Sequence, residues 1–255
     1  MRIAYDIIGN KDKAIALIGV NTKNPKKVAR EIMNRHKNVK SVLQKLSERK
    51  DTFRLYPCKL LLGDKNTEVI HKEHGYFLKI DPQKVYFSPR EATERQRVAE
   101  MVKSGENVLV MFSGAGPYAL AIGKKHLGCK ITCIEINLKG VEYAEKNARL
   151  NNIKNIRNIC ADVRRVRNIG KFDRIIMPLV EKAIDYLDEA FLHSKKGAII
   201  HLYGLSNEKE NFKDIEERIK EKAEIYNFKY KIIKRQKVLP YAPRILKVRL
   251  DIKVL

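Results

Sequence analysis

Tryptophan is absent from the 255-residue chain, and aromatic residues make up only 7% of it. That scarcity argues against a broad platform on which successive unpaired bases stack, because such a mode needs many exposed rings. Cysteine is sparse too. Cys58, Cys129, Cys133 and Cys160 form no CxxC pair, and no His or Cys flanks Cys129 and Cys133 at zinc-ligand spacing. They read as free thiols in a reducing cytosol, which excludes a disulfide scaffold and a zinc finger. The six histidines show no HxxxH or HxH spacing, so no metal is expected. No run of 18 apolar residues occurs, and the N-terminus lacks the ordered basic, apolar and small-residue regions of a signal peptide. A cytoplasmic protein with no membrane span is expected.

Acidic residues are also in deficit. Lys and Arg number 53 against 30 Asp and Glu, a net charge of +23. The excess is spread evenly, +11 over residues 1–105 and +12 over 106–255. A heat-adapted, lysine-rich surface comes with matching Glu. Here Glu does not match, so the charge points to a polyanionic partner, nucleic acid first. What remains is an ordinary folding composition, 44% hydrophobic and 33% charged, long enough for one large domain or two unequal ones.

Two short strands are predicted within 3–20, around the Gly9–Asp12 turn, and a helix over 24–36 entered through Asn24 and Pro25. Residues 38–48 fit a strand or a helix. Strands are predicted at 52–62 and 67–80, linked by the Gly63–Asn66 turn, which makes residues 1–80 a small α+β module. A helix opens at Ser88-Pro89-Arg90-Glu91, with Ser88 as N-cap and Glu91 in the capping-box position. From Gly105 the pattern alternates. Strands are predicted at 108–112, 130–135, 157–160, 173–177 and 197–203, helices at 117–126, 138–150, 180–193 and 208–226, and a closing hairpin at 229–239 and 245–254. Continuous apolar runs such as Val108–Phe112 suit parallel strands buried on both faces. The expected fold is α/β, a doubly wound Rossmann-like sheet over 81–255 preceded by the α+β module.

The strongest local signal is Phe112-Ser113-Gly114-Ala115-Gly116-Pro117-Tyr118, a small-residue turn directly after an apolar strand. Such a turn lets the backbone approach a ligand. Alone it is weak, since many tight strand-to-helix turns look the same. The next strand, however, ends in Glu135, where a doubly wound fold holds two ribose hydroxyls. The third ends before Asp162, and the fourth ends in Met177-Pro178-Leu179. Four successive strand ends that all carry ligand-type residues are far more specific than any one of them. Ala119 in place of a third glycine argues against a dinucleotide fingerprint.

With these residues in place, the sequence resembles class I S-adenosylmethionine-dependent transferases. More narrowly, it resembles the tRNA guanine-37 N1-methyltransferase family of archaea and eukaryotes. The resemblance is carried by Val85-Tyr86-Phe87-Ser88-Pro89-Arg90 with Ala92-Thr93-Glu94-Arg95, by the glycine turn, and by Ile134-Glu135-Ile136-Asn137. Asn147–Asn151, Asp162-Val163-Arg164, Asp173–Pro178, Gly197–His201 and Tyr241-Ala242-Pro243-Arg244 extend it, as do His36–Lys40 and Phe53-Arg54 upstream.

The resemblance implies S-adenosyl-L-methionine as cofactor and the anticodon stem-loop of tRNA as partner of a monomeric enzyme. It implies that Tyr86, Phe112, Gly114, Gly116, Glu135, Asp162, Met177 and Pro178 hold the cofactor. Glu94 would remove the guanine N1 proton and Arg54 would engage the target base, while Arg90, Arg95, Arg164 and Arg244 would contact RNA, with bracing of the site as the alternative for Arg90 and Arg95. Longer members carry a further N-terminal domain for the tRNA elbow, which a chain of this length is expected to lack.

The chemistry suits these roles. Guanine N1 is a weak nucleophile while protonated, so a carboxylate that takes the proton promotes its attack on the sulfonium methyl group. Two departures stand out. Met177 occupies a place where relatives carry Asn or Asp, and Met cannot accept or donate as an amide does. Val110 stands where an acid is common just before the glycine turn. These departures keep two sister activities open: transfer of the cofactor's 3-amino-3-carboxypropyl group to a wyosine precursor, and methylation of a wyosine intermediate at carbon. Retention of Glu94 favours methyl transfer to N1. A non-catalytic RNA-binding protein on the same scaffold is the remaining alternative.

Overall fold

The computed structural model describes residues 4–47, 53 and 55–255. At the N-terminus, β1 (Tyr5–Gly9) and β2 (Ala14–Ile18) pair antiparallel around the expected turn. Helix α1 (Pro25–Arg35) then carries the chain to β3 (Val39–Lys45), which lies parallel to β2, and β4 (Cys58–Gly63) closes the sheet antiparallel to β3. The undecided segment 38–48 is therefore a strand over Val39–Lys45, with Val39, Ser41, Val42 and Leu43 buried; residue 48 lies outside the described residues. Val28, Ala29 and Ile32 of α1 pack on Ala14, Ala16 and Ile18 of β2. Pro25 opens the helix as expected, but Asn24 sits in the left-handed region (φ 50°) and makes no side-chain cap.

The segment 67–80 is not one strand. It folds into a hairpin, β5 (Val69–Glu73) and β6 (Tyr76–Ile80), which reverses at His74 (φ 36°) and Gly75 (φ 84°). The hairpin is tied on both sides. His71 Nδ1 lies 3.0 Å from the Gly9 carbonyl, and the Asn147 and Asn151 amides clamp the backbone of Lys79 and Phe77.

The larger sheet follows. Its elements are α2 (Ala92–Met101), β7 (Asn107–Met111), α3 (Pro117–Lys125), β8 (Lys130–Glu135), α4 (Leu138–Leu150), β9 (Ile156–Cys160) and β10 (Phe172–Met177). Then come α5 (Leu187–Leu192), β11 (Ser194–Asn207), α6 (Lys213–Tyr226), β12 (Tyr230–Ala242) and β13 (Ile245–Val254). The strand order is β12-β13-β11-β10-β7-β8-β9, with β13 antiparallel to both of its neighbours and the rest parallel. The sheet winds outward in both directions from β7 and β10, so a crevice opens at their carboxyl ends. Residues alternate along β7: Val108 and Val110 enter one core with α3, and Leu109 and Met111 enter the other with α5 and α6.

Three local expectations are corrected. Ser88 is extended and makes no side-chain cap, and a 3-10 turn at Pro89–Glu91 precedes α2. The helix expected at 180–193 is a 3-10 turn at Ala183–Tyr186 followed by the short α5. β11 is longer than expected, and α6 starts later, at Lys213. The edge strand β12 exposes Lys231, Lys234, Arg235 and Lys237 and carries three register shifts, features that discourage pairing with another sheet.

Candidate cofactor and catalytic site

The turn after β7 contains three left-handed residues, Phe112 (φ 55°), Gly114 (φ 55°) and Gly116 (φ 80°). The conformation at Phe112 costs on the order of 1–3 kcal/mol, a strain that clusters at ligand sites. Gly114 lines a cavity of about 180 Å³, and a side-chain carbon there would meet no protein atom closer than 3.8 Å, so its absence leaves room for a ligand. Gly116 lies outside the cavity lining. It caps α3 and passes close to Ala144, so its role is to let the helix begin.

Glu135, at the end of β8, accepts from Gly114 N at 2.7 Å and from Asn137 N at 2.8 Å. Burial pushes its pKa up. Asn137 in turn caps α4 through Lys139 N. The first turn of α4 sits so close that a side chain at Gly140 would meet Glu135 Cγ at 2.9 Å. Sequence reading passed over Gly140 because a lone glycine in a helical pattern carries no ligand signal. Asp162 lines the cavity and accepts from Arg164 N. Tyr86, Phe112 and Pro178 line it as well. Met177 does not. As the last residue of β10 it is fully buried in the core beneath, so its side chain is structural.

Of the four arginines expected to contact RNA, Arg95 takes the bracing alternative instead. It is fully buried; its Nε and Nη2 bind the Glu73 carboxylate and Nη2 also donates to the Ser88 carbonyl, which braces the hairpin against α2. Arg90 is exposed and stands 3.6 Å from Asp6 of β1. Arg164 is exposed and lies over the ring of Tyr186 at 4.1 Å. Tyr186 also meets Phe112 edge-on and lines the cavity; it was missed because nothing marks it in sequence. Arg244 is exposed in the turn between β12 and β13. Arg54 lies outside the described residues, but its neighbour Phe53 lines the cavity.

Glu94 sits one layer behind the cavity wall. Its Oε1 accepts from Tyr203 Oη at 2.8 Å and from Arg249 Nη1, and its Oε2 accepts from Arg97 Nη1. Tyr203 faces Tyr118, which lines the cavity. Arg249 also binds Asp251, which binds His201 Nδ1. Arg174 Nη1 reaches His201 Nε2 at 2.7 Å. Arginine only donates, so Nε2 accepts and Nδ1 carries the proton, and burial keeps His201 below its ordinary pKa. The carboxylate on the wall near this point is Glu91, three residues before Glu94, which sequence reading placed in a capping box.

Residues 69–233 match the TRM5/TYW2 methyltransferase domain, and the chain belongs to this family. It is 37% identical over 98% of its length to a tRNA (guanine(37)-N(1))-methyltransferase Trm5b of Pyrococcus abyssi, covering 74% of that protein. It is 34% identical over 88% of its length to a tRNA(Phe) (4-demethylwyosine(37)-C(7)) aminocarboxypropyltransferase of Methanocaldococcus jannaschii, covering 89% of that protein. A complex of aTrm5 and tRNALeu superposes with a TM-score of 0.86 at 32% identity, over all of this chain and 73% of the other. TYW2 of M. jannaschii in complex with AdoMet superposes with a TM-score of 0.74 at 29% identity, over 98% of each chain. The expected fold and family thus hold. S-Adenosylmethionine is the cofactor.

Among the described residues, no helix is long and apolar enough to cross a membrane, and no cluster of His, Cys, Asp and Glu is placed to hold a metal.

Proposed function

We propose that this chain is a tRNA methyltransferase that methylates N1 of guanosine 37, with residues 1–80 as an RNA-gripping module ahead of the catalytic domain at 81–255. When bound, S-adenosylmethionine supplies an electrophilic methyl group. Gly114, Glu135, Asp162, Tyr86 and Pro178 hold the cofactor: Glu135 has lone pairs to spare for ribose hydroxyls, and Phe112 with Tyr186 walls the adenosine end.

The observation that carries methyl transfer to N1 is the placement of Glu94 one layer behind the cavity wall on a fixed scaffold. Oε1 is held by Arg249 and Tyr203, both fully buried, whereas Oε2 is held by Arg97, whose side chain is 35% exposed. Arg97 is the donor that can swing to water. Its departure opens Oε2 to the N1 proton of an extruded guanine. Arg54 donates to guanine O6 and stabilises the charge that develops there; the position of Phe53 on the cavity wall supports this role.

Arg90, Arg164 and Arg244 are exposed, and we assign them phosphate contacts with the anticodon stem-loop. We assign the protein to the cytoplasm as a monomer; sedimentation as a dimer would contradict the second assignment. The test of function is nucleoside mass spectrometry of tRNA incubated with enzyme and cofactor. The expected product is 1-methylguanosine at position 37; an aminocarboxypropyl nucleoside would assign the sister activity instead.

A further inference from the structure

Three carboxylates line the cavity among the described residues: Glu135, Asp162 and Glu91. The first two stand at the ends of β8 and β9, on one side of the glycine turn. Glu91 comes from the 3-10 turn before α2, and its Oε2 is 2.7 Å from Lys247 Nζ on β13. In strand order β13 lies on the far side of β7 and β10 from β8 and β9. Glu91 is therefore the acid at the end of the cavity away from the adenosine subsite.

We propose that Glu91 binds the α-ammonium of the cofactor's amino-acid end. This inference rests on the reading of the cavity as an S-adenosylmethionine site. Four observations support it. Val108, Leu109 and Val110 are fully buried and apolar, so β7 presents no acid at the glycine turn, where a charge for the ammonium would otherwise come from. Glu135 stands at the end of β8, where the ribose subsite is assigned, and its oxygens already accept from the backbone N–H groups of Gly114 and Asn137.

Glu91 divides its two oxygens. Oε2 is neutralised by Lys247, whose ammonium also lies 4.8 Å over the Tyr203 ring. Oε1 has at most a long contact, 3.5 Å, with Tyr86 Oη. Finally, Tyr118 Oη on the same wall is buried with no hydrogen-bond partner among the described residues. Burial and then the negative charge of Glu91 push the Tyr118 pKa well up, with the Tyr203 hydroxyl opposing the shift. A buried orphan donor beside a half-engaged carboxylate is what a zwitterionic ligand satisfies: the ammonium donates to Glu91 Oε1, and Tyr118 Oη donates to the ligand's carboxylate.

The full chain is titrated calorimetrically with S-adenosylhomocysteine, with its analogue lacking the α-amino group, and with methylthioadenosine, which has no amino-acid end. The wild-type protein is expected to bind S-adenosylhomocysteine at least tenfold more tightly than the desamino analogue. Glu91→Gln is expected to bring that ratio close to one while methylthioadenosine binds as before. Because Glu91→Gln removes the ion pair between Glu91 and the buried Lys247, the pair Glu91→Gln with Lys247→Met serves as a second variant and should lose the same discrimination. A ratio kept at its wild-type value in either variant overturns the assignment of Glu91. Failure of the wild-type protein to bind all three compounds overturns the cofactor site itself.

Discussion

Arg249 in the middle of β13 donates to Oε1 of Glu94 in the first turn of α2, and both side chains are buried. The contact belongs to a register. Lys247, Arg249 and Asp251 alternate along one face of β13, and the first two meet Glu91 and Glu94 of the helix start. The start of the helix that carries Glu94 is thus docked on the sheet by charge, while Val98 and Ala99 further along pack into the apolar core. A buried pair of this kind adds little net stability, but removing one partner leaves the other unpaired.

Arg249→Met is therefore expected to destabilise the fold by about 3–5 kcal/mol. The exposed pair of Lys139 with Glu142 sets the contrast, since surface pairs contribute about 0–1 kcal/mol. Urea unfolding of Arg249→Met and Lys139→Met measures both. Equal effects would remove the argument that β13 anchors Glu94.

The two oxygens of Glu94 make opposite demands on their partners. In single-turnover transfer, Glu94→Gln is expected to reduce the rate by at least a hundredfold, the scale of lost general-base catalysis, while S-adenosylhomocysteine still binds. Arg97→Met is expected to keep the rate within a few-fold, because its guanidinium must leave Oε2 in any case. A collapse of Arg97→Met equal to that of Glu94→Gln would show that Arg97 holds the carboxylate in its working position.

Glu73 gives a pH signature. Its burial raises its pKa, but hydrogen bonds from His71 and Arg95 outweigh that and hold it at about 2, against 4.5 for a free group. A carboxylate with a depressed folded pKa contributes stability above its unfolded value and loses it as pH falls through the folded one. The stability advantage of wild type over Glu73→Gln should then be full above pH 4.5 and shrink towards pH 2, by roughly 3 kcal/mol in all. A gap that stays constant over this range would contradict the pairing.

RNA affinity is expected to fall steeply with salt, and Arg90→Ala, Arg164→Ala and Arg244→Ala should each lower the log–log slope by about 1. A slope unchanged in all three variants would move the phosphate contacts elsewhere on the surface.

What could be read from sequence follows the physics of each segment. The parallel strands β7, β8 and β10 announce themselves as apolar runs, and the acids at their ends were legible because a doubly wound sheet collects ligand residues at that rim. The hairpin turn at His74-Gly75 was not, because β-forming residues flank it on both sides and the dipeptide is not a common hairpin turn. The polar face of β13 misleads most. Ile245-Leu246-Lys247-Val248-Arg249-Leu250-Asp251 reads as a half-exposed strand, yet Lys247, Arg249 and Asp251 are all buried under α2. Periodicity shows that a face is polar; only the carboxylates of a distant helix decide that it is inside. For the same reason Glu91 passed for a cap and Arg95 for an RNA contact, although both belong to buried pairs.

The central claim is methyl transfer to N1 of guanosine 37. Two parallel incubations of a G37 tRNA test it, one with cofactor labelled in the methyl group and one with cofactor labelled in the carboxypropyl chain, each followed by nucleoside mass spectrometry. Label from the methyl group in 1-methylguanosine at position 37 is the result expected. Label from the carboxypropyl chain in the tRNA, or an unmodified guanosine 37 with cofactor bound, would contradict it.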